Sequence, residues 1–389
     1  MSTHKPSILF ISHDANRAGA QLFLLNIMKD FKAKGFAMQL LCGIKWGPLL
    51  PDFEAVCTVR AMDNEPGSKL KGKVKRALGL EGKKEQKALS ELFKESQFDF
   101  IYANTIASAD LALATKSALG IPLITHIHEL EFSLNLYAHQ ASRQAIFSES
   151  KGIIACSNAV KENLVEKHCV PAEKIEVIHS FIDNEGILTR IAKNDKKAIK
   201  KAFGLPENCF LVGACGNAEW RKGLDIYVQL VAAYQKKAWP DPVHFVWIGM
   251  RKEGAYYENV AYDLEKLGVG EQISFIEPTP KAVEIIDALD LFVVSSREDP
   301  FPLVMLEAAI CEKPILGFEK TGGCQEFVSD EAGLLSPYLD IENMACNIHR
   351  MQSEPEMAAE KARTGKRLVT EVYNFKESVE KLKDYISRI

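Results

Sequence analysis

The 389-residue sequence has no apolar run approaching the 18 or more residues of a membrane span. It opens MSTHKPSILFIS, without the charged, apolar and small-residue layout of a secretion signal, so no signal peptide is predicted. Neither sign of charge is in excess: 48 Lys and Arg against 52 Asp and Glu leave −4, which argues against a dedicated nucleic-acid binder. With 24 glycines and 16 prolines the chain is far from a collagenous or low-complexity composition. No CxxC pair or Cys/His cluster occurs. The nine cysteines (Cys42, Cys57, Cys156, Cys169, Cys209, Cys215, Cys311, Cys324 and Cys346) stand singly, several inside apolar runs such as GIIACS and FLVGAC. An odd set of dispersed thiols fits small core residues in a reducing cytosol, and the chain reads as cytoplasmic. The GxGxxG fingerprint and the GxxxxGK[ST] P-loop are also missing, which sets aside a dinucleotide-dependent oxidoreductase and a P-loop nucleotidase.

What is present is alternation. Short apolar runs (SILFIS, MQLLC, FDFIYA, PLITHI, GIIACS, IEVIHS) are mostly separated by helical-period segments, the first with Leu22, Leu25, Met28 and Phe31 at helical spacing. The series restarts at FLVGACG and continues through HFVWIGM, ISFIEP, LFVVSS, PILGFE and GLLSP. Alternation of this kind implies parallel strands with helical crossovers, here in two doubly wound α/β domains. The predicted division is an N-terminal domain over 1–183, a polar connector over 184–208, a second domain over 209–370 and a terminal amphipathic helix over 371–389, able to pack back on the first domain. One segment breaks the pattern. Residues 69–87 hold eight Lys or Arg against two Glu. Two readings stand: a solvated loop and helix face, or a surface drawn to anionic lipid headgroups, at about 1 kcal/mol per basic residue.

The residues suited to chemistry fall at strand ends. LFVVSSREDPFPLVMLEAAICEKPIL, residues 291–316, ends a strand at Ser295 and Ser296, where an open parallel sheet places its ligand crevice. Asp299 is read as an N-cap and Pro300 as a first-turn residue, with an apolar and therefore buried helix following. Its first free amides, at Leu303 and Val304, suit an anion. Glu307 is an ionisable group among apolar neighbours and needs a cation or hydroxyl donors. In GACGNAEWRKGLDIY, residues 213–227, Arg221 and Lys222 sit where a helix begins, opposed to its dipole unless a polyanion faces them. Gly19 in SHDANRAGAQLF and the glycine pair in TGGCQEFV offer amide-rich turns. In ITHIHEL, His126, His128 and Glu129 gather at a strand end, better suited to hydrogen bonding or acid–base work than to a metal, for which further ligands are missing. Five such loops in two successive domains, their edges facing across a cleft, fit a nucleotide sugar.

SSREDPFPLVMLEAA, with GNAEWRKGLD and GGCQEF, resembles the retaining glycosyltransferases of the GT-B fold, family four, over nearly the whole chain. The resemblance implies two Rossmann-like domains facing across a cleft, the acceptor on the first and the nucleotide-sugar donor on the second. It implies transfer from a nucleotide diphosphate sugar with retained configuration and no metal or other cofactor. The family's two acids eight positions apart are matched by Asp299 and Glu307, with Glu298 one residue early. The first acid and the backbone of Phe301, Pro302 and Leu303 would hold the sugar, and Glu307 the ribose hydroxyls. Lys222 matches the family's diphosphate lysine, Asn217 stands where the family has arginine, and Arg221 is the substitute cation. His128 matches the active-site histidine and Gly19 the glycine-rich loop. If the basic segment 69–87 is drawn to an anionic membrane, a growing cell-envelope polysaccharide or lipid-linked glycan is the acceptor it suggests, met at the inner membrane face. A nucleotide-sugar epimerase and a non-catalytic nucleotide-sugar scaffold are the alternatives.

Overall fold

The computed structural model describes residues 5–63 and 81–388; residues 69–80 of the basic segment lie outside them. The chain divides into two compact units, residues 1–178 with 379–389, and residues 179–378. Among the described residues no helix is long and apolar enough to cross a membrane.

The first unit is built on strands β1 (Ile8–Ser12), β2 (Met38–Ile44), β3 (Thr58–Asp63), β4 (Phe100–Asn104), β5 (Leu123–Ile127), β6 (Gly152–Ala155) and β7 (Ile175–Val177). They form one parallel sheet in the order β3-β2-β1-β4-β5-β6-β7. Strands β1, β4, β5 and β6 are buried along their whole length, as expected of a sheet covered on both faces. Helix Gly19–Ala33 covers one face with Phe23, Leu24, Ile27, Met28 and Phe31, while Leu22 sits at the edge of that stripe. Phe10 on β1 packs against the rings of Phe31 and Tyr102, each buried ring contributing about 2–3 kcal/mol of apolar transfer.

The second unit repeats the design with β8 (Phe210–Cys215), β9 (Val243–Ile248), β10 (Ile273–Ile276), β11 (Leu291–Val294), β12 (Ile315–Phe318) and β13 (Gly333–Ser336), parallel in the order β10-β9-β8-β11-β12-β13. Tyr227 anchors helix Leu224–Lys236 to this sheet: its ring meets Trp247 and its hydroxyl donates to the Val212 carbonyl at 2.7 Å. In each sheet the chain winds outward from the first strand and then restarts on its other side. The switch points therefore lie between β1 and β4 and between β8 and β11, and ligand crevices open there, beyond the strands' carboxyl ends.

The domain limits differ from the sequence reading. The chain passes into the second unit after Ile178, five residues early, and residues 184–208 are part of that unit. They form helices Asn184–Ile191 and Lys196–Ala202, whose buried Ile187 and Ile199 turn inward. Arg190 holds Glu284 through two bonds and Lys196 holds Asp287 at 3.0 Å, so a stretch that is polar in composition is an amphipathic pair docked on helix Ala282–Asp287. At the other end, residues from Val379 onward group with the first unit, where the Tyr385 hydroxyl donates to the carbonyls of Ile153 and Lys174.

Candidate functional site

In the second unit the loops after β8 and β11 are joined residue by residue. The Arg297 amide donates to the Arg221 carbonyl at 2.8 Å, and the Ser295 hydroxyl to the Lys222 carbonyl at 3.1 Å. Gly223 lies between them with φ +72; a β-carbon there would stand 2.1 Å from the Ser295 carbonyl oxygen. Only glycine allows this approach and this backbone angle.

That junction puts two cations over one acid. Lys222 Nζ lies 2.5 Å from Asp299 Oδ2, and Arg221 Nη1 lies 3.8 Å from the same oxygen. Asp299 is 5% exposed, so its charge is sustained by these cations and by Ser296, whose hydroxyl lies 3.5 Å away. Arg221 is more fully engaged than its sequence position suggested. Nη1 donates to the Glu298 carbonyl and Nη2 to the Glu219 carboxylate, both at 3.0 Å, so it frames the loop and its charge reaches the crevice from behind Lys222. A small cavity is walled by Cys215, Lys222, Ser295, Asp299, Pro302 and Val304.

Asp299 is not an N-cap. The helix begins at Leu303 with Pro302 as its N-cap residue. Pro302 explains the shift. Asp299 before Pro300 could still cap a helix, but Phe301 precedes Pro302, and a residue before proline is driven out of helical geometry. Asp299 instead bridges Gly322 as a strand residue: its amide donates to the Thr321 carbonyl at 2.7 Å and its carbonyl accepts from Gly323 at 3.0 Å. The glycine-rich turn at 321–323 thus supports the acid. The helix Leu303–Ile310 is not apolar all round either, since Leu303, Val304 and Glu307 are only half-buried. The amides of Leu303 and Val304 are in the first turn, where no intrahelical acceptor exists, and Pro302 and Val304 line the cavity together with Lys222 and Asp299. Glu307 acts on Cys215 at the end of β8, whose thiol burial pushes up to about 12 with the Glu307 charge adding to the rise. The side chain of Phe301 is buried against the rings of His179 and Tyr373 and is not a ligand contact. Asn217 is exposed in the loop after β8, and Glu298 is half-buried beside Asp299.

In the first unit His128 stands just past β5. Glu129 fixes it from behind: the buried carboxylate accepts from the His128 amide at 2.8 Å and from the Ile106 amide at 3.2 Å. The glutamate beside the histidines is therefore a clamp on backbone. Thr105, at φ +70, holds a backbone angle rare for a side-chain-bearing residue, the kind of strain that accompanies functional turns. His126 and His128 stack at 4.0 Å, with Phe23 edge-on to both. Burial holds the His128 imidazole down at about 3 and depresses His126 as well, so both are neutral at physiological pH.

The sequence reading missed Asn104, which fixes the hydrogen on His128. Its Nδ2 donates to the Ala20 carbonyl at 3.1 Å, which leaves Oδ1 facing His128 Nε2 at 3.0 Å. A carbonyl can only accept, so the amide cannot be reversed, and His128 Nε2 must carry the proton. Nδ1 is left as an acceptor for a ligand hydroxyl. Around it, the loop after β1 is ordered by Asp14, which accepts from Gln21 Nε2 at 2.7 Å, and Thr105 Oγ1 lies 3.2 Å from His13 Nδ1. Gly19 is exposed at the start of the helix that follows this loop. A polar pair, Asn104–Thr105, ending the otherwise apolar β4 at a switch point was the available signal. Among the described residues no group of three or more His, Cys, Asp or Glu is placed to hold a metal ion.

Two doubly wound units, each with a polar crevice at its switch point, define the class: a two-Rossmann-domain protein of GT-B architecture. The comparisons agree. Residues 18–185 match the model described as Glycosyltransferase Family 4, and residues 195–368 the model described as Glycosyl transferases group 1. D-inositol 3-phosphate glycosyltransferase of Stackebrandtia nassauensis is 26% identical over 255 residues, which is 61% of this chain but only 56% of that protein. The fold of Anabaena HepE in complex with UDP and glucose matches with a TM-score of 0.79 at 21% identity, over 99% of this chain and 100% of the other. WaaG, a glycosyltransferase involved in lipopolysaccharide biosynthesis, matches at 0.73 and 14% identity over 97% and 99%. The chain belongs to the family-four glycosyltransferases of GT-B fold.

Proposed function

We propose that this chain is a retaining glycosyltransferase that moves a sugar from a nucleoside diphosphate donor to an acceptor hydroxyl without a metal ion. The observation that carries the reading is the Lys222–Asp299 pair set beside the free amides of Leu303 and Val304 at the β8/β11 switch point. The diphosphate would take Lys222, the charge of Arg221 and the helix amides, which together stabilise the negative charge that grows as the anomeric C–O bond breaks and its electron pair passes to the phosphate oxygen. The acceptor oxygen would close on the same face of that carbon through an oxocarbenium-like transition state, its proton passing to the leaving phosphate oxygen. Asp299 and the backbone of Phe301 to Leu303 would hold the donor sugar, and Glu307 the ribose hydroxyls. His128, neutral and with Nδ1 accepting, would orient a sugar hydroxyl and is not a proton donor at neutral pH. The UDP bound by HepE supports a nucleoside diphosphate at such a site, and WaaG supports a cell-envelope glycan as acceptor. Action in the cytoplasm, at the inner membrane face, suits such an acceptor.

The test is donor turnover by the purified chain in excess EDTA. Release of nucleoside diphosphate that persists under EDTA, with the product anomer matching that of the donor by proton NMR, is the expected result. Activity restored only by a divalent cation, or an inverted product, contradicts the proposal.

A further inference from the structure

The first unit carries a second cationic site, one that the reading above does not use. An open cavity of about 740 Å³ has walls from helix Gln140–Glu149, the end of helix Asn158–His168 and the loop that follows it. Arg143, Lys167, His168 and Lys174 line it against one carboxylate, Glu131. That carboxylate is spent. Its Oε2 accepts from His168 Nε2 at 2.9 Å and Asn163 Nδ2 at 3.3 Å, and its Oε1 from Asn135 Nδ2 at 2.8 Å.

Arg143 is 8% exposed, yet among the described residues no carboxylate pairs with it. Its Nη1 donates to the carbonyls of Leu134 and Ala138 at 3.1 and 2.9 Å, closing the end of helix Glu131–Tyr137. Nη2 makes no hydrogen bond among the described residues, and Nε is buried out of reach of solvent without a partner. Lys174 donates to the carbonyls of Phe147 and Ser148 at 2.6 and 2.9 Å, while burial and the nearby Lys116 hold its ammonium below the ordinary lysine range. Lys167 is exposed on the rim. Capping of helix C-termini accounts for one cation at each end. It does not account for a buried arginine that no carboxylate pairs, since charges taken out of water are ordinarily paired.

We propose that this cavity binds a phosphate ester, one oxygen taken by Nη2 of Arg143, with Lys167 and Lys174 neutralising the rest of the charge. A soluble sugar or polyol phosphate and the headgroup of an anionic lipid share that chemistry. Helix Glu131–Tyr137, which supplies Glu131 to the cavity, also presents Phe132, Leu136 and Tyr137 to solvent, apolar surface that an acyl or glycan portion could cover.

Cys169 is an exposed thiol on the cavity wall and reports on occupancy; Cys346, exposed in the second unit, is the internal control. The full chain is titrated with inorganic phosphate and alkylation of both thiols is followed by peptide mass spectrometry. Phosphate is expected to slow Cys169 saturably and leave Cys346 unchanged. The protection should be the same in Lys222→Ala, so failure of the donor reading and failure of this one are separable. Lys167→Glu and Arg143→Lys, the latter keeping a charge against the Leu134 and Ala138 carbonyls, should each weaken protection by about tenfold. Glycerol 3-phosphate and vesicles of phosphatidylglycerol in phosphatidylcholine then separate the sources. Vesicle retention lost in Lys167→Glu assigns a headgroup; protection by glycerol phosphate without vesicle retention assigns a soluble ester. Indifference of Cys169 to saturating phosphate, or wild-type protection in both variants, overturns the proposal.

Discussion

Replacing Lys222 by alanine tests how the proposed donor site is held as well as what it does. The ammonium and the Asp299 carboxylate are 2.5 Å apart, with side-chain exposures of 18% and 7%. At an effective dielectric constant of 20 the gross attraction is about 7 kcal/mol, most of it offset by the cost of drying the two charges. Removing the lysine strands a buried carboxylate with only Arg221, at 3.8 Å, and the Ser296 hydroxyl nearby. Breaking a fully buried pair costs about 3–5 kcal/mol; residual solvent access to Lys222 reduces the expectation to about 2–3 kcal/mol. Asp299→Asn in the Lys222→Ala background removes the stranded charge and should restore at least half of that loss. Turnover should behave differently: it should fall at least about tenfold in Lys222→Ala, the scale of one charge-assisted contact, and stay down in the double variant. Urea unfolding of the four chains gives the stability cycle, and release of nucleoside diphosphate gives the rates. Lys222→Ala as stable as wild type, or a double variant that loses as much as the two single variants summed, would refute the reasoning.

Three further outcomes are expected. Asn104→Ala frees the His128 tautomer, so ¹⁵N NMR of the histidines should show His128 Nε2 protonated in the wild type and a mixture in the variant, with kcat lowered by about tenfold; an unchanged spectrum removes the positioning role. His126 and His128 are neutral in the folded chain down to about pH 3 for His128, but protonate near 6.5 when unfolded. The unfolded state therefore binds more protons below pH 6.5, and stability should be flat above that pH and fall below it, by up to about 1.4 kcal/mol per pH unit for each ring. Urea midpoints between pH 7.5 and 4.5 would show this, and His126→Phe should lessen the slope. Gly223→Ala places a β-carbon 2.1 Å from the Ser295 carbonyl at φ +72 and should cost about 2–3 kcal/mol, read as a lower Tm; a neutral substitution would mean the two loops are not locked together.

The alternation of apolar runs with helical segments was enough to place both sheets, because strands covered on two faces carry an unbroken apolar signature that composition cannot disguise. Arg221, Lys222 and Asp299 stood out as candidates for a related reason, as charged residues just beyond the ends of such strands, and Glu307 as the one charge in an otherwise apolar helix. Three features were not legible. Asp-Pro imitates a helix start, and only the second proline, Pro302, forbids a helix before Leu303. The polar stretch 184–208 hides two isoleucines, Ile187 and Ile199, whose burial depends on packing against a helix some 90 residues further on. Asn104 meets His128 because β4 and β5 pair with Asn104 opposite His126, a register set by tertiary structure. Phe301 carries the opposite lesson, since its place in the motif suggests a ligand contact while its ring belongs to the core.

As proposed, the second unit binds a nucleoside diphosphate sugar between Lys222, the Leu303 and Val304 amides and Glu307. The decisive measurement is a thermal-shift screen of the purified chain against nucleoside diphosphates and their sugars, in EDTA. A ligand at 100 times its Kd should stabilise the fold by about 2.7 kcal/mol. One nucleotide family should raise Tm, and Glu307→Ala should abolish the shift while leaving the unliganded chain folded. No shift with any member of the panel, or a shift that survives Glu307→Ala unchanged, would contradict the account.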